Sequence, residues 1–187
     1  MTPFEYLSVL VSIIVGLAIT QLLSGAARLI QLRRRVRPHA ATLCWMVFLF
    51  LLDTQIWWAA FFRRYSQDWN FFLFLFYLLM PILAFLLSYL VLPELGDEDE
   101  IDLAANFEGN RPWFFGLAAL MLATSLAEQA VRVGSLPMDV DVAFRVVFLA
   151  LSLACAGIRS ARFQLWAAAA ALALMCSYVA MVFRHLH

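Results

Sequence analysis

The chain has 187 residues, 65% of them hydrophobic, and a mean hydropathy of +0.86, whereas soluble domains are about 45–50% apolar. Its 13 basic and 13 acidic residues cancel, and every basic residue is an arginine. The composition excludes a soluble domain and any retinal or pyridoxal Schiff base, which needs a lysine amine, and it gives no basic patch for nucleic acid.

Six apolar stretches are long enough to cross a bilayer, which takes roughly 20 residues per helix. They cover about 4–32, 40–62, 70–92, 113–133, 140–158 and 163–183. The sequence therefore predicts an all-α bundle of six transmembrane helices, a single integral membrane domain over residues 1–187. Three spans lie on each side of an acidic connector at 93–112. We expect the first span to be retained, because it is longer than the 7–15 apolar residues of a signal peptide and no basic residue precedes it.

Small and hydroxyl residues recur at every fourth position of the first span, and Arg28 closes the series. The members of this small-residue ridge are Ser8, Ser12, Gly16, Thr20 and Ser24. Residues four apart share one face of a helix, and small residues let two membrane helices approach closely. The pattern predicts that this ridge is a helix-packing surface; the alternative is that these residues fall there by chance.

A cluster of arginines follows the first span, at Arg33, Arg34, Arg35 and Arg37. Arginines beside a membrane attract anionic lipid headgroups, at about 1 kcal/mol each, so we expect this cluster to contact the bilayer surface. Because arginine-rich loops stay in the cytoplasm, it also predicts an N-terminus outside. The Ala- and Arg-rich composition without lysine favours a bacterial inner membrane as the plasma membrane concerned.

The spans differ in composition. The second and third are rich in aromatic residues, and the last three are rich in alanine. Since small residues mark close helix contacts, we expect spans 1, 4, 5 and 6 to form the tight bundle. The aromatic spans 2 and 3 would then face lipid or a second subunit, so that the protein forms a homo-oligomer or binds a membrane partner.

Asp53 lies near the middle of the second span, and an ionisable residue at that depth indicates a functional site by default. Either it is protonated or it pairs with another helix. Counting the rise along each helix places Arg145 and Glu128 at a similar depth in the membrane, so we expect them to be its partners. Gln55, Ser12 and Ser125 lie in the same layer and would supply hydrogen bonds. The alternative is structural: Glu128–Arg132 and Asp141–Arg145 are acid–arginine pairs four residues apart, which would leave Asp53 as a packing residue.

A second polar patch lies on the first span, where Gln21 and Ser24 are neighbours of Thr20. Gln21 is unfavourable in lipid, so we expect it to face the bundle. Joined to the layer of Asp53, this patch would line a path through the membrane. The two patches could equally be unrelated contacts between helices.

The connector holds seven of the 13 acidic residues but does not fit an EF-hand: counted from Asp97, the fifth position is Ile101 and the required glycine is missing. We expect a solvated loop without a specific metal site; the alternatives are that it binds a cation loosely or pairs with the arginine cluster. The three cysteines form no disulfide framework. The histidines lie outside the spans, and no catalytic motif is present, so we predict neither a cofactor nor an enzyme.

Two functions fit these observations. The first is a small ion or proton channel or a proton-coupled transporter, built around Asp53 with Arg145 and Glu128. The second is a non-catalytic assembly or accessory subunit that packs through the small-residue ridge. A water-accessible path joining Gln21, Ser24 and Asp53 would favour transport. Dry polar clusters and an exposed aromatic patch would favour the accessory role.

Overall fold

In a computed structural model, the described backbone comprises residues 3–62, 71–93, 100–133 and 139–184. These residues form six helices and one two-stranded pair: α1 (Pro3–Gln31), β1 (Val36–Arg37), α2 (Ala40–Phe62), α3 (Phe71–Leu90), β2 (Ile101–Asp102), α4 (Leu103–Val133), α5 (Val140–Gly157) and α6 (Ala161–Arg184). All the helices except α3 are long and apolar enough to cross a membrane, and α3 has a shorter apolar stretch, Phe74–Leu90. The predicted all-α membrane bundle is confirmed.

The fourth helix begins ten residues earlier than expected. We predicted a span from about residue 113 and a connector over 93–112, with Pro112 as the boundary, but α4 starts at Leu103 and contains Pro112. The start is fixed by Asp102, whose Oδ1 accepts hydrogen bonds from the backbone N–H of Ala104 (2.9 Å) and Ala105 (3.1 Å). A carboxylate satisfies helix amides that otherwise lack acceptors, and from this start the helix continues through Pro112.

The two halves of the chain are tied together where β1 and β2 pair in parallel, with Val36 opposite Ile101. The backbone N–H of Ile101 donates to the carbonyl of Arg35 (2.8 Å), and Arg37 Nε donates to Glu100 Oε1 (2.6 Å). The predicted pairing between connector acids and the arginine cluster is therefore confirmed for Arg37 and Glu100. We call this end of the bundle the strand end, and the other end the far end.

The helices are not arranged as predicted. Helix α1 packs on α3 and α2, while α4 packs on α5 and α3, and α6 packs on α2. The expectation of a tight bundle of spans 1, 4, 5 and 6 is wrong, because α2 and α3 lie at the centre. Helix α2 turns a stripe at a spacing of four toward the interior. This stripe consists of Ala41, Trp45, Leu49 and Asp53.

The small-residue ridge faces away from the bundle. Ser12, Gly16, Thr20 and Ser24 are exposed and Ser8 is half-buried, so the ridge is not the surface through which α1 packs on its own chain. The Thr20 hydroxyl donates to the Gly16 carbonyl of the same helix (2.7 Å), and it therefore needs no partner helix.

Helix α1 instead packs through another face, formed by Val11, Val15, Ala18, Leu22, Gly25 and Leu29. The close approach occurs at Gly25, where an added Cβ would overlap the side chain of Leu92, just beyond the end of α3. Helix α6 is similar, since it packs through Ala167, Ala168 and Ala171.

Candidate functional site: an internal cavity with one polar end

A cavity of about 200 Å³, partly open to the surface, lies between α2, α3, α4, α5 and α6. Most of its wall is apolar, with Leu, Phe, Met and Ala side chains from all five helices. Along α4 the lining residues run from Phe114 to Ser125, about 16 Å of helix at 1.5 Å per residue. The cavity is thus elongated and follows the helix axes through roughly half of a 30 Å hydrocarbon core.

Aromatic rings form the part of the cavity nearest the strand end, which we call the aromatic floor. The ring of Trp45 meets Phe48, Phe114 and Phe115 at centroid distances of 5.3, 5.7 and 5.4 Å. Phe114 and Phe115 contact each other edge to face at 5.1 Å. Offset and edge-to-face pairs at such distances are favourable beyond the area they bury, so the floor is a closely packed and largely apolar surface.

Polar side chains gather at the cavity's far-end side, which we call the polar mouth. Arg145 Nη2 pairs with Asp141 Oδ2, and Arg145 Nη1 donates to Gln129 Oε1 (2.8 Å). Tyr178 Oη donates to the second carboxylate oxygen of Asp141 (2.9 Å). Gln55 of α2 also lines the cavity. Hydrogen bonds join the side chains of α4, α5 and α6 at the mouth into one connected network.

The start of α5 positions this network. Asp139 caps the helix by accepting a bond from the backbone N–H of Val142 (2.8 Å). Asp141 and Arg145 are four residues apart in the first turns, so they share one face of the helix. That face points between α4 and α6, where Gln129 and Tyr178 meet it. The predicted local pair of Asp141 and Arg145 is confirmed.

The predicted polar cluster is split between two places. Gln55, Ser125 and Arg145 line the cavity, and Arg145 Nη1 also donates to the Ser125 carbonyl (3.4 Å). Glu128 is buried one turn further along α4 but is not among the lining residues. Ser12, Gln21 and Ser24 belong to α1, which contributes no lining residue.

Asp53 is not a neighbour of Arg145 as predicted. It is fully buried, and its Oδ2 accepts a hydrogen bond from the Ser88 hydroxyl of α3 (3.1 Å). Its Oδ1 is buried without a hydrogen-bond partner among the described residues. The depth argument placed the residue correctly along α2 but could not give its direction around the helix, which is toward α3.

Arg111 and Gln164 are important polar residues that the sequence analysis missed. Both donate to the carbonyls at the end of α5: Arg111 Nη1 to Cys155 (3.1 Å) and Ile158 (2.9 Å), and Gln164 Nε2 to the same two oxygens (2.9 and 2.6 Å). The last carbonyls of a helix lack partners and carry partial negative charge. Arg111 was counted as a loop residue, but it lies inside α4.

Neither a protein-family model, nor a curated protein, nor a solved structure matches this chain. The described residues include no group of three His, Cys, Asp or Glu side chains that could hold a metal ion. The chemistry of the site therefore follows from the cavity itself: an apolar, partly aromatic interior with donors and acceptors at one end. Such a combination is typical of small-molecule sites, where a few polar groups fix the orientation of an otherwise apolar ligand.

Proposed function

We propose that this multi-pass membrane protein binds an amphiphilic small molecule inside its helical bundle. The apolar part of the ligand would lie on the aromatic floor, and its head group would contact Arg145, Asp141 and Tyr178 at the polar mouth. The observation that carries the proposal is the elongated cavity itself, whose wall is mostly apolar and whose two charged residues among the described lining, Asp141 and Arg145, lie together at one end.

The size of the cavity supports a ligand larger than a few waters. Since one water needs about 10–15 Å³ of such space, the roughly 200 Å³ available corresponds to a dozen waters or more. Apolar walls do not hold water well, and an apolar cavity of about 150 Å³ stays dry and takes up benzene. A membrane offers acyl chains and other lipophilic molecules as occupants. A long acyl chain is larger than this volume, so it would occupy the cavity with part of its length and leave the remainder in the surrounding lipid, because the cavity is partly open.

The experiment is ligand binding to the full chain in lipid nanodiscs, read by native mass spectrometry with added monooleoylglycerol. Ala118 lines the cavity and Ala123 is exposed on the same helix, so Ala118→Phe and Ala123→Phe form a matched pair. We expect one ligand per chain for the unchanged protein and for Ala123→Phe, and at least tenfold weaker binding for Ala118→Phe. Equal binding by both variants would contradict the proposal.

Proton or ion transport with Asp53 as the ionisable element is the second candidate. It is supported by the burial of this carboxyl group and by the oxygen without a described partner, since ionisable residues in membrane helices commonly mark ion or proton routes. Its test is proton and cation flux into proteoliposomes, with Asp53→Asn as the variant. Flux that Asp53→Asn abolishes, with folding intact, would establish transport; no flux from the unchanged protein would exclude it for those ions.

An accessory role, in which α1 binds a second copy or another membrane protein, is supported by the outward direction of the small-residue ridge. An added Cβ at Gly16 meets no described atom within 4 Å, so Gly16→Leu should fold normally. We expect it to weaken association measured by energy transfer between labelled chains in liposomes, while Ile13→Leu, off the ridge, should not. Unchanged association of Gly16→Leu would exclude the ridge as the interface.

We also propose that the membrane is a bacterial inner membrane and that the strand end faces the cytoplasm, because the exposed arginines Arg33, Arg34 and Arg35 lie there. In this orientation the polar mouth lies in the outer half of the bilayer. A single cysteine at Gln31, in a chain whose native cysteines are replaced, should react with an impermeant maleimide only in inside-out vesicles. Labelling of intact cells would reverse the orientation.

A further inference from the structure

The described residues of the polar mouth carry no net charge. Arg145 and Asp141 are the two charged side chains among the described residues that line the cavity, and they pair with each other. A charged head group entering this site would lose part of its hydration without meeting an unbalanced opposite charge, and a partly buried charge without a partner is unfavourable. The site therefore disfavours both anionic and cationic amphiphiles.

The same residues keep capacity for further hydrogen bonds. A guanidinium has five N–H groups, and the bonds from Arg145 to Asp141, Gln129 and Ser125 engage three of them. A carboxylate accepts about four bonds, and Asp141 receives one at each oxygen, from Tyr178 and Arg145. With 23% and 36% of their side chains exposed, Arg145 and Asp141 are accessible as a donor and an acceptor.

We infer that the ligand of this cavity has an uncharged head group bearing a hydroxyl, as in a long-chain alcohol or a monoglyceride. A hydroxyl donates one hydrogen bond and accepts others, so it can accept from Arg145 and donate to Asp141 at the same time. An ester or ether head could use Arg145 only. The inference rests on the proposed binding function and specifies its ligand class.

The test compares four amphiphiles with the same C18 chain: oleyl alcohol, methyl oleate, oleate and oleylamine. Dissociation constants are measured for the full chain in nanodiscs at pH 7.5. For the unchanged protein we expect oleyl alcohol to bind at least tenfold more tightly than oleate or oleylamine, and severalfold more tightly than methyl oleate.

Two variants reverse the charge preference. Asp141→Asn leaves the Arg145 charge unbalanced, so oleate should gain at least tenfold in affinity. Arg145→Gln leaves the Asp141 charge unbalanced, so oleylamine should gain instead. Arg159 is exposed at the strand end, so Arg159→Gln is the control for a general change of charge. It should leave the dissociation constants of all four amphiphiles unchanged.

The possible results distinguish the inference about the hydroxyl head group from the proposed binding function on which it rests. Binding of all four amphiphiles within threefold of one another, or tightest binding of oleate or oleylamine, would overturn the hydroxyl inference and leave the cavity as a binding site. Failure of every amphiphile to bind, or binding that Ala118→Phe leaves unchanged, would overturn the proposed function itself. If a mouth variant does not fold, the preference of the unchanged protein still decides.

Discussion

The two ends of α5 each involve a buried or half-buried arginine, and the two arginines have different surroundings. At the strand end, Arg111 is 4% exposed and bonds the carbonyls of Cys155 and Ile158 together with Gln164, which is 1% exposed. At the far end, Arg145 bonds side chains, keeps part of its surface accessible and faces a cavity. The first arrangement fills its space with protein groups, whereas the second leaves room for a ligand.

The difference shows that burial of a charge in a membrane bundle does not by itself indicate a functional site. Arg111 donates hydrogen bonds to carbonyls at the end of α5, and the last carbonyls of any helix need such donors. Arg145 instead bonds other side chains at the edge of a cavity. We therefore assign a structural role to Arg111 and a binding role to Arg145, and this assignment makes predictions for both.

The largest effect is expected for Arg111→Ala. The change removes a charged donor from two buried carbonyls, and hydrogen bonds to charged groups contribute about 1.5–3 kcal/mol each, so we expect unfolding to become easier by roughly 2–4 kcal/mol. The measurement is reversible unfolding in mixed micelles. Arg159→Ala, exposed at the same end of α5, should change stability by less than about 0.5 kcal/mol. Equal stability of the two variants would contradict the structural role.

A smaller loss is expected for Gln164→Ala, about 1 kcal/mol. Gln164 donates to the same two carbonyls but is uncharged, and its own Oε1 is buried without a described hydrogen-bond partner, which offsets part of its benefit. Because both residues serve the same oxygens, the double variant with Arg111→Ala should deviate from additivity by about 0.5–3 kcal/mol. Strict additivity would mean that the two residues act independently.

At the far end, Asp141→Asn should change stability by less than about 1 kcal/mol, because partly exposed ion pairs contribute little. The same micelle unfolding assay applies. This variant therefore distinguishes the roles of the two arginines. Asp141→Asn, which removes the partner of Arg145, should change the ligand preference with little change in stability. Arg111→Ala should lower the stability without changing the ligand preference. A loss as large as that of Arg111→Ala would mean that the polar mouth is structural.

The smallest effect concerns Asp102, at the strand end of α4. The bond from the Ala105 N–H, with further help from the Ala104 N–H and the charge of Arg37, holds the pKa of Asp102 below its usual 3.8. The cap therefore stabilises α4 fully above the unfolded pKa, and this contribution is lost as the pH falls through the folded value. Asp102→Asn should abolish the acid-dependent loss of protection at the Ala104 and Ala105 amides, measured by hydrogen exchange relative to the unchanged protein. An identical acid response of both proteins would contradict the cap.

The sequence predicted the membrane helices and the local ion pair because these depend on neighbouring residues. Long apolar runs define the spans, and an acid four residues before an arginine pairs on one helix face, as with Asp141 and Arg145. The ion pair of Arg37 and Glu100 was one of the alternatives that the sequence offered, since the arginine cluster and the acidic connector were expected on the same face of the membrane.

The neighbours of each helix could not be predicted, because a helix that is apolar all round gives no signal for which face is buried. The spacing of four in Ser12, Gly16 and Thr20 is equally suited to an inner or an outer contact. Gly25, which makes the close approach, stands outside that series. Helix packing decides which helix Asp53 faces and which carbonyls Arg111 reaches, and only the structure shows this packing.

The most direct measurement is photo-crosslinking with an oleyl alcohol that carries a diazirine in its chain, followed by residue-level mass spectrometry. The cavity predicts labels on inward-facing residues such as Phe114, Phe115 and Phe148, and their loss in Ala118→Phe. Trp113 and Trp166 are 72% and 74% exposed on the outside of the bundle, and Trp113 is the immediate neighbour of Phe114. Labels confined to Trp113, Trp166 and other outward residues would show that the alcohol stays in the surrounding lipid, and would contradict binding inside the bundle.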